Sequence, residues 1–176
     1  MKQEDNYYEL YISGDDSAFE QILSKYRTGL ILYSNRFVKN IDIAEDIADE
    51  VFFRLSIKKI PVSSNLKAYL YKMVHNLSID HLRKIKRISE KPIEEHLEIY
   101  YEHIEQDIIK KEQLHNLMSK INELPSDYAQ VLYLAYLEGF NNSAIAKIMK
   151  KSNRQIENLL YRAKKQLKGK LTDEEQ

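Results

Sequence analysis

Three prolines, Pro61, Pro92 and Pro125, are spaced through a chain of 176 residues that otherwise repeats apolar side chains at helical intervals. Proline lacks an amide hydrogen and its ring collides with the preceding turn, so each proline begins or ends a helix. Only four glycines offer other places to turn. The pattern predicts long helices broken at a few points, hence an all-α fold. Apolar residues make up 43% and charged residues 31%, enough for buried cores beneath a solvated surface. This length holds one domain or two small ones. The absence of cysteine excludes disulfides, thiolate catalysis and thiolate zinc sites, and suits a reducing cytoplasm. No uncharged apolar run is long enough to span a bilayer, and the acidic N-terminus is unlike a signal peptide. The expectation is a cytoplasmic protein without membrane insertion.

The last third, Leu124 to Leu171, carries the most specific pattern. After Pro125, the stripe Tyr128, Val131, Leu132, Ala135 and Tyr136 predicts a helix over about 126–138, with Ser126 and Asp127 as cap candidates and Gly139 as the stop. Asn141 can cap a second, short helix that turns Ile145, Ala146, Ile148 and Met149 inward. A turn at Lys150-Lys151 leads to Ser152-Asn153-Arg154-Gln155, a capping box in which each side chain satisfies a backbone donor of the other. Ile156, Leu159, Leu160, Ala163 and Leu167 then form one stripe, while Asn153, Arg154, Glu157, Asn158, Tyr161, Lys164, Lys165 and Lys168 lie outside it. Two short helices joined by a tight turn, the second basic, make a helix-turn-helix. From Lys147 to Lys170 there are nine Lys or Arg and one acid, in a chain of net charge zero. Such a stripe also fits a solvated face, but its concentration on one helix is the electrostatic footprint of a DNA-binding surface.

Upstream, a short Tyr-rich helix over about 4–12 stops at Ser13-Gly14. Asp15 or Asp16 then caps a helix with the stripe Phe19, Ile22, Leu23, Tyr26, Leu30 and Tyr33. Asp42 with Glu45 reads as a box opening the next helix. Its inner face is Ala44, Ile47, Ala48, Val51 and Leu55, and its outer face is Glu45, Asp46, Asp49, Glu50, Phe53 and Arg54. An exposed aromatic among acids favours a partner surface that is basic over a merely solvated face. Asn65 opens a long helix to about 87, with Leu66, Leu70, Met73, Val74, Leu77, Leu82 and Ile85 on its core side. Lys72, Asn76, Asp80, Arg83 and Arg87 recur at steps of three or four and share a face. With Tyr69 and Tyr71 near its start, this helix suits single-stranded nucleic acid, because bases stack on rings while cations track phosphates. The alternative makes the tyrosines core and the charges solvated. Asp80 is placed to pair with Arg83 or Lys84.

Between Glu94 and Asp107 there are six acids and no Lys or Arg, a composition that repels phosphates and reads as a linker. An amphipathic helix over 108–121 follows. No catalytic constellation appears, so the chain is not read as an enzyme and no cofactor is expected. Glu112 and His115 form a single Glu-x-x-His, whereas a helical di-metal site needs two copies. There is neither a Gly-rich phosphate loop nor a nucleophile elbow, and no metal site is expected.

In order and spacing, these stretches resemble the sigma-70 family of RNA polymerase sigma factors, in its small extracytoplasmic-function (ECF) group. Gly14-Asp15 with Ala18-Phe19-Glu20 and Tyr26 is similar to the opening motif of that group. Ala44-Glu45-Asp46-Ile47 with Glu50-Val51-Phe52 resembles its polymerase-binding helix. Ala68-Tyr69-Leu70-Tyr71 and Asn76 through Arg83 resemble the helix that opens the −10 element. Leu124-Pro125, Gly139, Ile145-Ala146 and Tyr161-Arg162-Ala163 resemble the domain that binds the −35 element. The resemblance implies two small helical domains joined by an acidic linker, the second a helix-turn-helix. Residues 1–88 would be a region 2-like domain, 89–107 the linker, 108–171 a region 4-like domain and 172–176 an acidic tail.

The same resemblance implies roles for the matching positions. Asp46, Asp49, Glu50 and Phe53 would meet core RNA polymerase. Tyr69, Lys72, Asn76, Arg83 and Arg87 would hold the opened −10 strand, with the loop 58–64 helping to form a pocket for a flipped base. Arg154, Glu157, Asn158, Tyr161, Arg162 and Lys165 would read the −35 element in the major groove. Implied partners are core polymerase, promoter DNA as duplex and as opened single strand, and, as a further candidate, an anti-sigma factor. The chain departs from the usual pattern at Asp49, Ala144, Gln155, Glu157 and Leu159. A helix-turn-helix regulator that never meets polymerase, or a helical adaptor with no DNA role, are the competing readings of the bare sequence.

Overall fold

The computed structural model describes residues 6–58, 65–88 and 117–172, and the chain divides into two compact units, 1–98 and 99–176. Among the described residues every regular element is helical.

The first unit contains α1 (Asn6–Ile12), α2 (Ser17–Val38), α3 (Ile41–Ile57) and α4 (Leu66–Ile88). Helix α2 is the hub, packing against the other three, and α3 also packs on α4. The chain leaves α1 through Gly14, whose φ of 111° suits a residue without a Cβ. Asp16 stands at the N-cap of α2 without a capping hydrogen bond. Asp15 does the local work instead, accepting from the Ser17 amide at 3.0 Å and from its hydroxyl at 2.6 Å. The start of α3 corrects the sequence reading. Asn40, in extended conformation, caps it by accepting from the Ile43 amide at 3.0 Å. Asp42 therefore lies already inside the first turn, where a carboxylate faces the positive end of the helix dipole. Asn65 caps α4 as expected, accepting from the Ala68 amide at 3.0 Å.

Ile22, Leu30, Tyr33, Val51, Leu55, Leu70, Tyr71 and Val74 fill the core of this unit. Each fully buried side chain of this size contributes about 1.5–3 kcal/mol by leaving water. The lower α4 stripe, Leu77, Leu82 and Ile85, is only half-buried. Two polar contacts are sealed between α2 and α4: the Tyr33 hydroxyl shares a hydrogen bond with His75 Nδ1 at 3.2 Å, and the Ser34 and Ser78 hydroxyls share one at 3.0 Å. Paired in this way, buried polar groups avoid the cost of desolvation.

In the second unit, helical residues 117–122 (α5) precede α6 (Ser126–Leu132), α7 (Asn142–Met149) and α8 (Asn153–Thr172). Helix α8 packs on α6 and α7. Pro125 starts α6 through its carbonyl, which accepts from the Tyr128 and Ala129 amides at 2.8 and 3.0 Å. Neither expected cap acts as one. Ser126 accepts instead from the Gln130 side chain at 2.9 Å, and Asp127 pairs with Lys151 at 3.0 Å.

Helix α6 continues as a π-helical turn, Tyr133–Leu137, in which the Glu138 amide donates to the Tyr133 carbonyl five residues back. The wider turn rotates the side chains out of the 3.6-residue frame. Residues 129–134 are all buried, and past them Tyr136, expected in the stripe, is 58% exposed. Helix α7 follows the sequence reading: Asn141 accepts from the Ala144 amide at 2.9 Å, and Ile145, Ala146, Ile148 and Met149 are buried.

The expected linker 89–107, residues 59–64 of the expected loop, the stretch 108–116 and residues 173–176 of the expected tail lie outside the described residues. No described helix is long and apolar enough to cross a membrane.

Candidate nucleic-acid interface

The turn between α7 and α8 is three residues, Lys150 to Ser152, with Lys150 in the left-handed region at φ 54°. A non-glycine residue tolerates this conformation for a single step, and here it folds the chain back sharply. The capping box then closes in both directions. The Ser152 amide donates to the Gln155 side chain at 2.7 Å, and the Gln155 amide donates to the Ser152 hydroxyl at 3.2 Å. Buried Ile156 and Ala163, with half-buried Leu159, Leu160 and Leu167, seat α8 on the unit. That seating leaves Arg154, Glu157, Asn158, Tyr161, Arg162 and Lys165 exposed on one helix, with Tyr161 at 71%. All six expected −35 residues are thus accessible together. Lys164 is drawn aside, its ammonium 5.1 Å from the centre of the Tyr136 ring.

On α4, Lys72, Asp80, Arg83 and Arg87 are exposed along one face, while Asn76 and Tyr69 are half-buried. Arg83 donates to Asp80 at 3.3 Å, the pairing expected from their spacing. Tyr71 is core, with Lys67 lying 5.8 Å from the centre of its ring. Of the two tyrosines, only Tyr69 remains a candidate for stacking.

On α3, Asp46 and Phe53 are exposed, Phe53 at 59%. The other two residues of that set are engaged within the unit. Glu50 accepts from Arg54 Nε at 2.6 Å, one turn along the same helix. Asp49 is gripped by Arg27 of α2, whose Nε and Nη2 donate to its two carboxylate oxygens at 3.1 and 3.3 Å. This hydrogen bond, helped by the nearby charge, raises the Arg27 pKa above its already high ordinary value. The sequence reading missed Arg27, because a contact between residues 22 apart on two different helices leaves no mark in local spacing.

Helices α3 and α4 enclose an open cleft of about 660 Å³. Asp46 and Glu50 line it from one side, and His81, Arg83 and Arg87 from the other. Two members of each set that the sequence assigned to different partners, Asp46 and Glu50 with Arg83 and Arg87, thus line one groove. Among the described residues no group of His, Cys, Asp or Glu could hold a metal ion.

Comparison with known proteins bears on these surfaces. The family model for Sigma-70 region 2 matches residues 22–88, and that for Sigma-70, region 4 matches residues 114–167. The chain is 27% identical over 172 residues to the ECF RNA polymerase sigma factor SigW of Bacillus subtilis (strain 168), covering 91% of this chain and 92% of SigW. It is also 27% identical over 153 residues to the ECF RNA polymerase sigma factor SigM of the same organism, covering 85% and 93%. In fold it is similar to the sigma factor RpoE of Bartonella quintana, solved with the anti-sigma factor NepR, with a TM-score of 0.70 at 23% identity over 88% of this chain and 96% of that one. A structure of CnrH in complex with the cytosolic domain of CnrY is similar at a TM-score of 0.67 and 16% identity, over 98% and 99%.

Proposed function

The chain belongs to the sigma-70 family, in its ECF group, and from that membership we infer how its two units share the work of a sigma factor. It binds core RNA polymerase and directs promoter recognition, strand opening and transcription initiation. Catalysis then rests with the polymerase. A factor of this kind acts where polymerase acts, in the cytoplasm.

In this reading the first unit docks on polymerase through α3 and holds the opened strand along α4. Asp46 is the leading acid of the docking face, since Asp49 and Glu50 are already paired within the unit, and Phe53 is its apolar anchor. Lys72, Arg83 and Arg87 follow the phosphates of a single strand, with Tyr69 beside the loop that would receive an unstacked base. The second unit lays α8 in the major groove, the docking geometry of a helix-turn-helix. An anti-sigma partner is part of the proposal, by analogy with the complex of RpoE with NepR.

The observation that carries the reading is the order of the two family matches, region 2 over 22–88 and region 4 over 114–167, each containing an exposed basic helix face. Run-off transcription is the test. Purified core polymerase with the full chain should yield a discrete transcript from a cognate promoter, and core polymerase alone should not. A chain that retains duplex DNA but never supports a transcript is a regulator instead.

A further inference from the structure

Between Lys147 and Lys170 the only acid is Glu157. Five acids elsewhere in the described chain find cations: Asp49 with Arg27, Glu50 with Arg54, Asp80 with Arg83, Glu123 with Lys170, and Asp127 with Lys151. Glu157 is exposed, and no described residue gives it an ion pair or hydrogen bond, although Arg154 stands three residues before it. Nor does it serve the helix end. The Ser152–Gln155 box satisfies the cap, and Glu157 is the fifth residue of α8, past the turn where the dipole favours an acid. A lone carboxylate on a cationic surface lowers affinity for any polyanion, so its place on this face calls for a selective contact.

We propose that Glu157 is a specificity-determining residue, selecting cytosine at one base pair of the upstream promoter element. The inference rests on the reading that α8 enters the major groove. An ionised carboxylate accepts hydrogen bonds and donates none. The base-edge donors in the major groove are cytosine N4 and adenine N6. Adenine sets the N7 acceptor beside N6, where it repels the second carboxylate oxygen. Cytosine sets its C5–H on one side of N4 and only guanine O6 of the pair lies on the other, so the carboxylate meets one adjoining acceptor where adenine N6 has two, its own N7 and thymine O4. Guanine and thymine present acceptors alone at their own edges. Phosphate repulsion applies to every sequence, whereas the N4 contact rewards one base, so Glu157 trades general affinity for discrimination.

Glutamine at this position keeps the shape and replaces one oxygen by a donor, matching the N6 and N7 pair of adenine. This gives a test with a direction. A duplex pool randomised across the upstream element is selected on the full chain assembled with core polymerase, using wild type, E157Q and E157A. Wild type should enrich cytosine at one position by about tenfold. E157Q should move the preference at that same position to adenine, and E157A should flatten it. Both variants should bind non-cognate duplex about twofold to threefold more tightly at low salt, from the loss of one negative charge. Matched thermal melting curves establish that the exposed substitution leaves the fold intact. Identical base preferences in all three pools would overturn the inference while leaving the groove reading in place. No enrichment of any upstream sequence in any pool would sink the groove reading and the inference with it.

Discussion

Arg27 on α2 and Asp49 on α3 form a two-pronged ion pair, with Nε–Oδ1 at 3.1 Å and Nη2–Oδ2 at 3.3 Å, so Asp49 meets any partner with its charge already matched. Because the two side chains are 40% and 59% exposed, solvent screens the pair. A double-mutant cycle of R27A and D49A, read by chemical denaturation, should give a coupling of about 0.5–1 kcal/mol. Zero coupling would mean that the fork exists without contributing to stability.

The same pairing ranks the acids of the proposed docking face. D46A and F53A should each weaken binding to core polymerase more than D49A does, since Asp46 and Phe53 are exposed and Asp49 is partly neutralised. D46A should act mainly on the association rate and on its salt dependence, as expected of a steering charge. Titration of labelled protein with core polymerase measures all three, and a D49A effect larger than that of D46A would reverse the ranking.

Duplex DNA binding should fall steeply with salt. With about five phosphate contacts from Arg154, Arg162, Lys165 and neighbouring lysines, the log–log slope of the binding constant against salt is roughly −5. Arg162→Ala should reduce its magnitude by about one. A slope near zero would identify the basic stripe of α8 as a solvated face.

Glu123 and Lys170, 47 residues apart, tie the turn after α5 to the last turns of α8 at 2.7 Å. The hydrogen bond from Lys170 holds the Glu123 carboxyl below its ordinary value of 4.5. A depressed folded pKa means that the unfolded chain takes up the proton first. The stabilisation is therefore fully present above pH 4.5 and is lost as pH falls through the lower folded value. E123Q should melt below wild type at pH 7, and the gap should shrink once the pH drops under 4.5. A gap that stays constant through that window would show that the pair is not the cause.

Helix positions were legible in the sequence wherever stripe and cap agreed, as at Asn65, Asn141 and the Ser152–Gln155 box. At α3 the spacing favours Asp42, whereas the Asn40 side chain two residues earlier caps the helix, and at α6 it favours Ser126 or Asp127, whereas the Pro125 carbonyl accepts the first amides. Tyr136 was misplaced because a π-helical turn adds a residue to one turn, and no composition rule announces it. The exposed faces of α3, α4 and α8 were readable because helical spacing alone decides which residues face outward. The Arg27 grip on Asp49 was not, since tertiary contacts decide which exposed charges are spoken for.

The buried Tyr33–His75 and Ser34–Ser78 contacts act as two pins through α2 and α4. Sliding α4 by one turn would unseat both pins at once and strand their polar atoms in the core. A helix pinned in this way cannot ratchet along its neighbour under load. Under the proposed function, in which the face carrying Arg83 and Arg87 holds a DNA strand, the recoil would pass into α2 as a rigid strut. The distortion would then be taken up by the stacked bases, the softer party in that encounter.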